Sequence, residues 1–278
     1  TGISSGSPTA FLGGERDLWE KYLFGDIYHK AGISYSERPK YGALDMLHHP
    51  DGASPRFGSC YFVLHADVGK RSTFTFGGSQ EEDALGRTGT LENIEPVMAG
   101  IFIELEKKRG AIGVENLTIA SLLKRLTDDL SEPYCSLSGT PLGRALDSFI
   151  EVQLHGTIHL AEDVERLVAD PAFKANQTGE ILNAVSKKYR FPLNWHPGFV
   201  LSVDEIPDQF RGYPVKILAQ RIAPNGILDA ARIGVATNSA ETQPELWTDF
   251  GSHDDLLTLF RRLWHVLVLY GKSKEIDS

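Results

Sequence analysis

The sequence is poor in cysteine, with Cys60 and Cys135 as its only two. Neither has a cysteine or histidine neighbour at the spacing of a metal site, and two cysteines cannot form a disulfide framework. Cys60 opens the apolar run Cys60–Leu64, where we expect a buried, unreactive thiol. We therefore expect no disulfide framework and no metal site, and a reducing compartment is compatible with this composition.

Long hydrophobic runs are also missing. The most apolar stretch, near Leu263–Gly271, is shorter than the ~18 to 20 residues of a membrane span and contains His265. Residues 1–8 lack the basic and apolar segments of a signal peptide, and the chain starts without Met, so an export signal removed upstream stays compatible with it. We expect no membrane partner.

Positive charge is in deficit: 28 Lys and Arg face 37 Asp and Glu, for a net charge of -9. This balance argues against a broad phosphate-binding surface, so we expect no nucleic-acid partner. A local basic pocket remains compatible with it. The length of 278 residues fits one large domain or two closely packed ones.

Hydrophobic spacing predicts helices and strands in irregular order. The predicted helices are residues 15–30, 41–49, 94–107, 116–130, 180–189 and 254–270, with a further helix starting at 162–163. The predicted strands are residues 33–38, 58–65, 73–76 and 148–155, and an Asn225-Gly226 turn separates two apolar runs. This mixture indicates an α+β fold.

Residues 148–155 are the most informative strand. Ile150, Val152 and Leu154 share one face by alternation, and three polar residues, Glu151, Gln153 and His155, share the other. Burying three polar side chains against apolar groups would be costly, so their face is either solvated or lines a cleft. From periodicity alone a solvated face is the commoner outcome.

Three further segments stand out: Glu37–Leu44 with Arg38, Pro55–Ser59 with Arg56, and Arg71–Ser79. An arginine beside proline is more often a structural ion-pair partner than a phosphate ligand, and a strand phenylalanine is more often core than ligand contact. His155 and His159 are four apart on an extended segment, which separates them by ~13 Å and excludes a shared metal ion.

In this order the segments resemble mono-ADP-ribosyltransferases, whose pattern is an Arg on an early strand, then Ser-Thr-Ser, then Glu-x-Glu. Here the series is Arg38, Ser72-Thr73-Phe74 and Glu151-Val152-Gln153. The sequence is most similar to the bacterial effector family of ubiquitin-threonine ADP-ribosyltransferases typified by CteC. The similarity includes Arg-Pro-x-Tyr-Gly-Ala-Leu, Arg-Phe-Gly-Ser-Cys, Thr-Phe-Thr-Phe-Gly-x-Ser and Glu-x-Gln-x-His-Gly, and it extends to Asp170-Pro171.

The resemblance implies an ADP-ribosyltransferase-like split β-sandwich with flanking helices. It implies a catalytic core with N-terminal helices over residues 1–165 and a C-terminal segment, 166–278, packed on that core as one globular unit. The implied reaction is transfer of ADP-ribose from NAD to a protein hydroxyl, with release of nicotinamide. The implied acceptor is a threonine of ubiquitin, modified by a monomeric protein that a bacterium secretes and that blocks ubiquitination in the host cytoplasm.

The resemblance also assigns residue roles. Glu151 would hold a hydroxyl of the nicotinamide ribose and stabilise the developing oxocarbenium ion, while Ser72 aims Glu151. Arg38, with Arg56 as second choice, would bind the pyrophosphate through its guanidinium fork. The remaining cofactor-binding candidates are Phe57, Gly58, Thr73, Phe74 and Phe76, with a phenylalanine stacking on nicotinamide.

Two departures from the pattern matter. Ser-Thr-Phe replaces Ser-Thr-Ser, and Gln153 replaces the second glutamate, whose position orients the acceptor in the wider family. An amide there favours a hydroxyl or amide acceptor over arginine. His155 is either a general base for that acceptor or a structural histidine. Two other functions stay open: a protein-interaction module without catalysis, and an NAD glycohydrolase that uses water as acceptor.

Overall fold

The computed structural model describes residues 13–34, 36–108, 110–129 and 146–273. The leader 1–8, Cys135 and the Pro/Gly/Ser-rich stretch 131–143 lie outside the described residues. Helices and short strands alternate irregularly along the chain, which confirms the α+β class. None of the helices in the described ranges is long and apolar enough to cross a bilayer.

The strands are short, and the longest helix lies near the end of the described ranges. In chain order the strands are β1 Lys40–Ala43, β2 Tyr61–Leu64, β3 Ser72–Phe76, β4 Thr88–Gly89, β5 Gly110–Ala111, β6 Val114–Glu115, β7 Ile150–Leu154, β8 Val164–Ala169, β9 Leu193–Trp195, β10 Val200–Ser202 and β11 Ile227–Asp229. The α-helices are α1 Glu15–Phe24, α2 Glu95–Lys108, α3 Ile119–Thr127, α4 Leu160–Asp163, α5 Gln177–Tyr189, α6 Tyr213–Ile222, α7 Ala230–Thr242 and α8 His253–Tyr270.

The chain divides into two compact units. The first contains the described residues up to His48, those of 64–134 and those of 147–165; the second contains 49–63 and the described residues of 135–146 and 166–278. Residues 49–63 belong with the second unit because its side chains hold them: Trp264 Nε1 donates to the carbonyl of Pro55 at 2.8 Å, and His196 Nε2 lies 2.9 Å from the carbonyl of Ser59. The resemblance places the boundary differently, because it implies a catalytic core that is continuous over residues 1–165.

The first unit is built on a four-stranded antiparallel sheet of order β1-β7-β3-β4. Its apolar face carries Phe74, Phe76, Ile150 and Val152, which form one core with α2. Helix α2 has an acidic residue, Glu95, in its first turn and a basic residue, Lys108, in its last turn, and the helix dipole favours this arrangement of charge. Gly100 of α2 packs so closely that an added Cβ would lie 2.6 Å from the ring of Phe76.

The second unit has a separate hydrophobic core. The helices α6, α7 and α8 supply most of its buried side chains, including Leu218, Ile233 and Leu263. Helix α8 begins with a capping box, in which Ser252 and Asp255 satisfy each other's backbone N–H groups. Short strands complete this unit: β8 and β9 pair in parallel, and β10 pairs with β11.

Helix α1 differs from its predicted form. The sequence predicts an apolar buried face, but Leu18 and Tyr22 are exposed by 58% and 52%, and the buried side chains are Asp17 and Glu20. The helix also ends at Phe24, followed by Gly25 with a φ of 61°. An ion pair with a distant arginine, described below, decides which face of α1 is covered.

Four predicted segments take other forms. The described residues of 33–38 form turns and irregular backbone instead of a strand. Residues 41–49 are not helical, because β1 pairs with the central strand β7. The segment after 162 is a single helical turn followed by strand β8, whose β-branched and apolar residues are buried. Asn225-Gly226 follows a helix, not a strand, so it does not close a β-hairpin. The helices 94–107, 180–189 and 254–270 and the strands 73–76 and 148–155 are confirmed to within a few residues.

Candidate active site

The second face of the first unit's sheet is polar. The central strand β7 lies between β1 and β3, so Gln153 is opposite both Tyr41 and Thr73, and Glu151 is opposite Thr75. Residues directly opposite each other on antiparallel strands share a face. The predicted alternation of β7 is therefore confirmed, with Ile150, Val152 and Leu154 on the apolar side of the strand.

Glu151 is buried, with 6% of its surface exposed, and it does not lie on a solvated face. Its Oε1 accepts hydrogen bonds from Gln153 Nε2 at 2.9 Å and from the backbone N–H of Ser79 at 3.2 Å. Two N–H donors therefore hold one oxygen of this side chain. Both of these bonds end on Oε1.

Gln153 is fully buried between two threonines. Thr73 Oγ1 donates to Gln153 Oε1 at 2.8 Å, and Gln153 Nε2 lies 3.1 Å from Thr75 Oγ1. Thr75 is also fully buried and shares a 2.8 Å hydrogen bond with Thr88 on β4. The amide of Gln153 therefore contacts Glu151 and the two threonines, and it is not exposed to orient an acceptor directly.

His155 follows β7 and extends the same polar row. Its Nδ1 lies 2.5 Å from the Tyr28 hydroxyl and its Nε2 lies 3.1 Å from Thr73 Oγ1. The ring of Phe24 packs edge-on against the imidazole at 5.1 Å between centroids. Burial lowers the pKa of His155, so the imidazole is neutral near pH 7.

Arg38 lies just before β1 and is bound by two carboxylates of α1. Its Nε and Nη2 donate to Glu20 Oε2 at 2.9 and 2.6 Å, and Nη2 is 2.6 Å from Asp17 Oδ1. All three side chains are at least nine-tenths buried. Arg38 Nη1 is buried too and finds no acceptor among the described residues. This ion pair is the reason why the acidic face of α1 is the covered one.

The carboxylates have further partners. Tyr41 donates its hydroxyl proton to Glu20 Oε1 at 2.9 Å, and burial together with the charge of Glu20 raises the pKa of Tyr41. Burial raises the pKa of Asp17, but the N–H of Gly13 and the charge of Arg38 lower it by more, so it lies below its usual value of 3.8. Asp17 is therefore ionised at neutral pH.

Ser72 does not lie in this cluster. It is opposite Leu154, on the apolar side of the sheet, and its hydroxyl donates to the carbonyl of Val68 at 2.8 Å. Since strand residues one apart face opposite ways, Ser72 cannot aim Glu151 from the register that Thr73 occupies. The partners that hold Glu151 are Gln153 and the Ser79 N–H.

Phe74 and Phe76 are also on the apolar side of the sheet. Both are almost completely buried in the core under α2, so neither ring is available to stack on nicotinamide. The residue of this strand that does face the polar cluster, besides Thr73, is Thr75. The alternation in Thr-Phe-Thr-Phe already contains this information, because Thr73 and Thr75 are two residues apart.

Arg56, Phe57 and Gly58 belong to the second unit. Arg56 lies over the ring of Phe57, 5.6 Å from its centroid, and Phe57 is 69% exposed. Gly58 has a φ of 145°, a conformation that glycine adopts without strain. The cluster of the first unit contains none of these three residues, so their binding of cofactor stays a prediction.

The sequence-based choice missed Tyr28, Ser79, Thr75 and the acidic pair of α1. Asp17 and Glu20 are three apart, which places them on one side of a helix, and this spacing was the available signal. Ser79 contributes only its backbone N–H, which no residue type reveals. No group of three or more metal-ligating side chains occurs within the described ranges.

Comparison with known proteins adds one match. Residues 1–270 match a family model described as a protein of unknown function, DUF3626. A search of curated proteins finds no match to this chain.

Proposed function

The chain belongs to the DUF3626 family of proteins of unknown function, and from the chemistry of its first unit we propose that it is a mono-ADP-ribosyltransferase. It would transfer ADP-ribose from NAD to a protein hydroxyl and release nicotinamide. The observation that carries this proposal is Glu151: a buried carboxylate held by two N–H donors on a sheet face lined with hydroxyl, amide and imidazole groups.

The arrangement of strands supports the resemblance to this enzyme class. Arg38 precedes β1, Ser72-Thr73-Phe74 is in β3 and Glu151-Val152-Gln153 is in β7, and these are three neighbouring strands of one sheet. We include the ADP-ribosyltransferase-like split β-sandwich in the proposal on this ground. The three segments are far apart in sequence, so their meeting in one sheet is a property of the fold.

The proposed reaction breaks the bond between C1′ of the ribose and the nicotinamide nitrogen. Nicotinamide leaves with the bonding electron pair, and the ribose becomes oxocarbenium-like. Oε2 of Glu151 would accept a hydrogen bond from a ribose hydroxyl, and the negative charge of the carboxylate would stabilise the oxocarbenium-like ribose. The acceptor oxygen then bonds to C1′ and its proton goes to solvent water; His155, four residues from Glu151 along an extended segment, is ~13 Å away and is not assigned as the base.

NAD fits one feature of the cluster. Arg38 Nη1 is a buried donor without an acceptor in the described residues, and a phosphate oxygen of the pyrophosphate would supply one. The carboxylates of Asp17 and Glu20 already occupy the other donors of this guanidinium, so phosphate would have to share Arg38 with them. Arg38 therefore remains the proposed pyrophosphate ligand of the first unit.

The acceptor rests on the resemblance alone. A threonine of ubiquitin is the proposed target, modified by a secreted bacterial protein in the host cytoplasm. The buried position of Gln153 changes the argument for this acceptor, because an amide without exposed surface acts on Glu151 and not on the acceptor. It also leaves NAD hydrolysis as a second candidate, since water needs no orienting side chain.

Intact-mass measurement of ubiquitin after incubation with NAD and the full chain tests the proposal. We expect the mass of one ADP-ribose to be added, and Glu151→Gln to abolish both this gain and nicotinamide release. The matched control is Glu106→Gln, which changes an exposed glutamate of α2 and should keep full activity.

Each other outcome identifies an alternative. Nicotinamide release without a mass gain would indicate an NAD glycohydrolase. Neither product, in a chain with native circular dichroism, would favour an interaction module without catalysis. Full activity of Glu151→Gln would exclude the assigned role of this carboxylate.

A further inference from the structure

The hydrogen bonds of the polar row have a single consistent direction. A hydroxyl has one proton to donate, so each donor that is fixed determines the next one. Thr88 Oγ1 donates to the carbonyl of Ala84 at 2.7 Å, and a carbonyl cannot donate in return. In the 2.8 Å bond between Thr88 and Thr75, the proton must therefore come from Thr75.

This assignment fixes the amide of Gln153. Because Thr75 donates its proton to Thr88, its oxygen can only accept from Gln153, so the group 3.1 Å away must be the amide NH₂. The same NH₂ then faces Glu151 Oε1 at 2.9 Å. A longer contact of 3.4 Å from Thr75 Oγ1 to Gln153 Oε1 would need the proton already given to Thr88.

The direction continues to His155. Gln153 Oε1 accepts the proton of Thr73, so Thr73 has none left for His155 Nε2. His155 must therefore be protonated on Nε2, and Nδ1 accepts from Tyr28. The chain of donors runs from Tyr28 through His155, Thr73 and Gln153, and it ends on the carboxylate of Glu151.

We infer that Thr75 and Thr88 are positioning residues for Glu151, because they hold the Gln153 amide with its N–H groups toward the carboxylate. With the amide reversed, a carbonyl oxygen would face the carboxylate in a buried site, which is repulsive. Among the described residues Thr88 has no hydrogen bond to Gln153 or Glu151, so its hydrogen-bonding effect passes through Thr75. The catalytic consequence rests on the proposed function, while the amide orientation does not.

Thr88→Val is the decisive variant, because valine keeps the shape of threonine but cannot accept the Thr75 proton. That proton is then free to bond Gln153 Oε1, and only Thr73 and Glu151 still hold the amide in its orientation. Thr88→Ser restores the hydroxyl and should restore the wild-type behaviour. Thr75→Val is the second variant, which removes the acceptor of the amide directly. Thr237→Val is the matched control, since Thr237 bonds a helix carbonyl in the second unit.

Two measurements on the full chain are needed. In ¹⁵N-glutamine-labelled protein, the side-chain NH₂ signal that disappears in Gln153→Met belongs to Gln153. We expect its hydrogen exchange to become about tenfold faster in Thr88→Val and Thr75→Val, and to be unchanged in Thr88→Ser and Thr237→Val. For nicotinamide release from NAD, we expect kcat to fall between about 10-fold and about 100-fold in both valine variants at unchanged KM.

The outcomes separate this inference from the proposed function. Unchanged amide exchange in both valine variants would overturn the inference. Faster exchange with unchanged kcat, in an active enzyme, would overturn the positioning role. Faster exchange in a protein whose wild type releases no nicotinamide would support the amide orientation and count against the proposed function.

Discussion

Arg38→Ala should destabilise the first unit strongly, because this guanidinium neutralises two buried carboxylates. Glu20 and Asp17 are 3% and 6% exposed, and both lie within 2.6 Å of Arg38 Nη2. After the substitution two negative charges would face each other without a cation between them. Tyr41 would still donate to Glu20, but one neutral donor does not offset a charge.

The expected loss of stability in Arg38→Ala follows from the burial of this ion pair. Breaking a buried ion pair by removing one partner typically costs about 3–5 kcal/mol, whereas an exposed pair contributes about 0–1 kcal/mol. The chain offers a matched control in Lys21 of α1, whose Nζ lies 3.1 Å from Asp26 Oδ1; the two side chains are 56% and 69% exposed. We expect Lys21→Ala to be close to neutral.

Hydrogen exchange followed by mass spectrometry measures this difference in the first unit alone. We expect peptides covering β3 and β7 to exchange about 150-fold to about 5,000-fold faster in Arg38→Ala than in wild type. Peptides from α8, in the second unit, should change little. If Arg38→Ala matched Lys21→Ala, the ion pair would not hold α1 with its acidic face covered, and the reasoning would be refuted.

Two further predictions concern acid and packing. Because the folded pKa of Asp17 lies below its unfolded value of 3.8, this carboxylate stabilises the fold above about pH 4 and the stability is lost as the pH falls through the folded pKa. The free energy of unfolding, measured with urea at a series of pH values, should therefore fall less steeply in acid for Asp17→Asn than for wild type. Gly100→Ala should lower the free energy of unfolding by about 1–3 kcal/mol, because the new methyl group overpacks against Phe76. Gly86→Ala is the control, since its methyl group meets no atom within 4 Å. Thermal unfolding compares the two variants, and equal Tm values would contradict the prediction for Gly100→Ala.

Much of the sheet that carries the candidate site is predictable from local pattern. The alternation of residues 150–154 and the alternating Thr and Phe residues of 72–76 specify strands, and the first pattern also specifies that Glu151 and Gln153 share a face. The spacing of Val97, Ile101 and Leu105 specifies α2 in the same way. These elements agree with prediction because their own residues contain the whole signal.

The cluster around Glu151 needs information that no local pattern contains. Alternation places Ser72 on the face of Phe74 and Phe76, but only the pairing of β3 with β7 shows that Glu151 lies on the other face, with Thr73 and Thr75. Similarly, β1 has few residues typical of a strand, and it becomes one because β7 offers it a ladder of backbone hydrogen bonds. Long-range pairing overrides weak local preference at both positions.

The sequence by itself determined which residues share a face, because periodicity depends only on the local geometry of helix and strand. Only the tertiary structure decided which of those faces is covered. On α1 Leu18 and Tyr22 are exposed and Asp17 and Glu20 are buried because Arg38, 18 residues after Glu20, supplies the charge that makes burial of the two acids favourable. The direction of the Gln153 amide was likewise decided by Thr88, a residue on another strand whose single proton is committed to a backbone carbonyl.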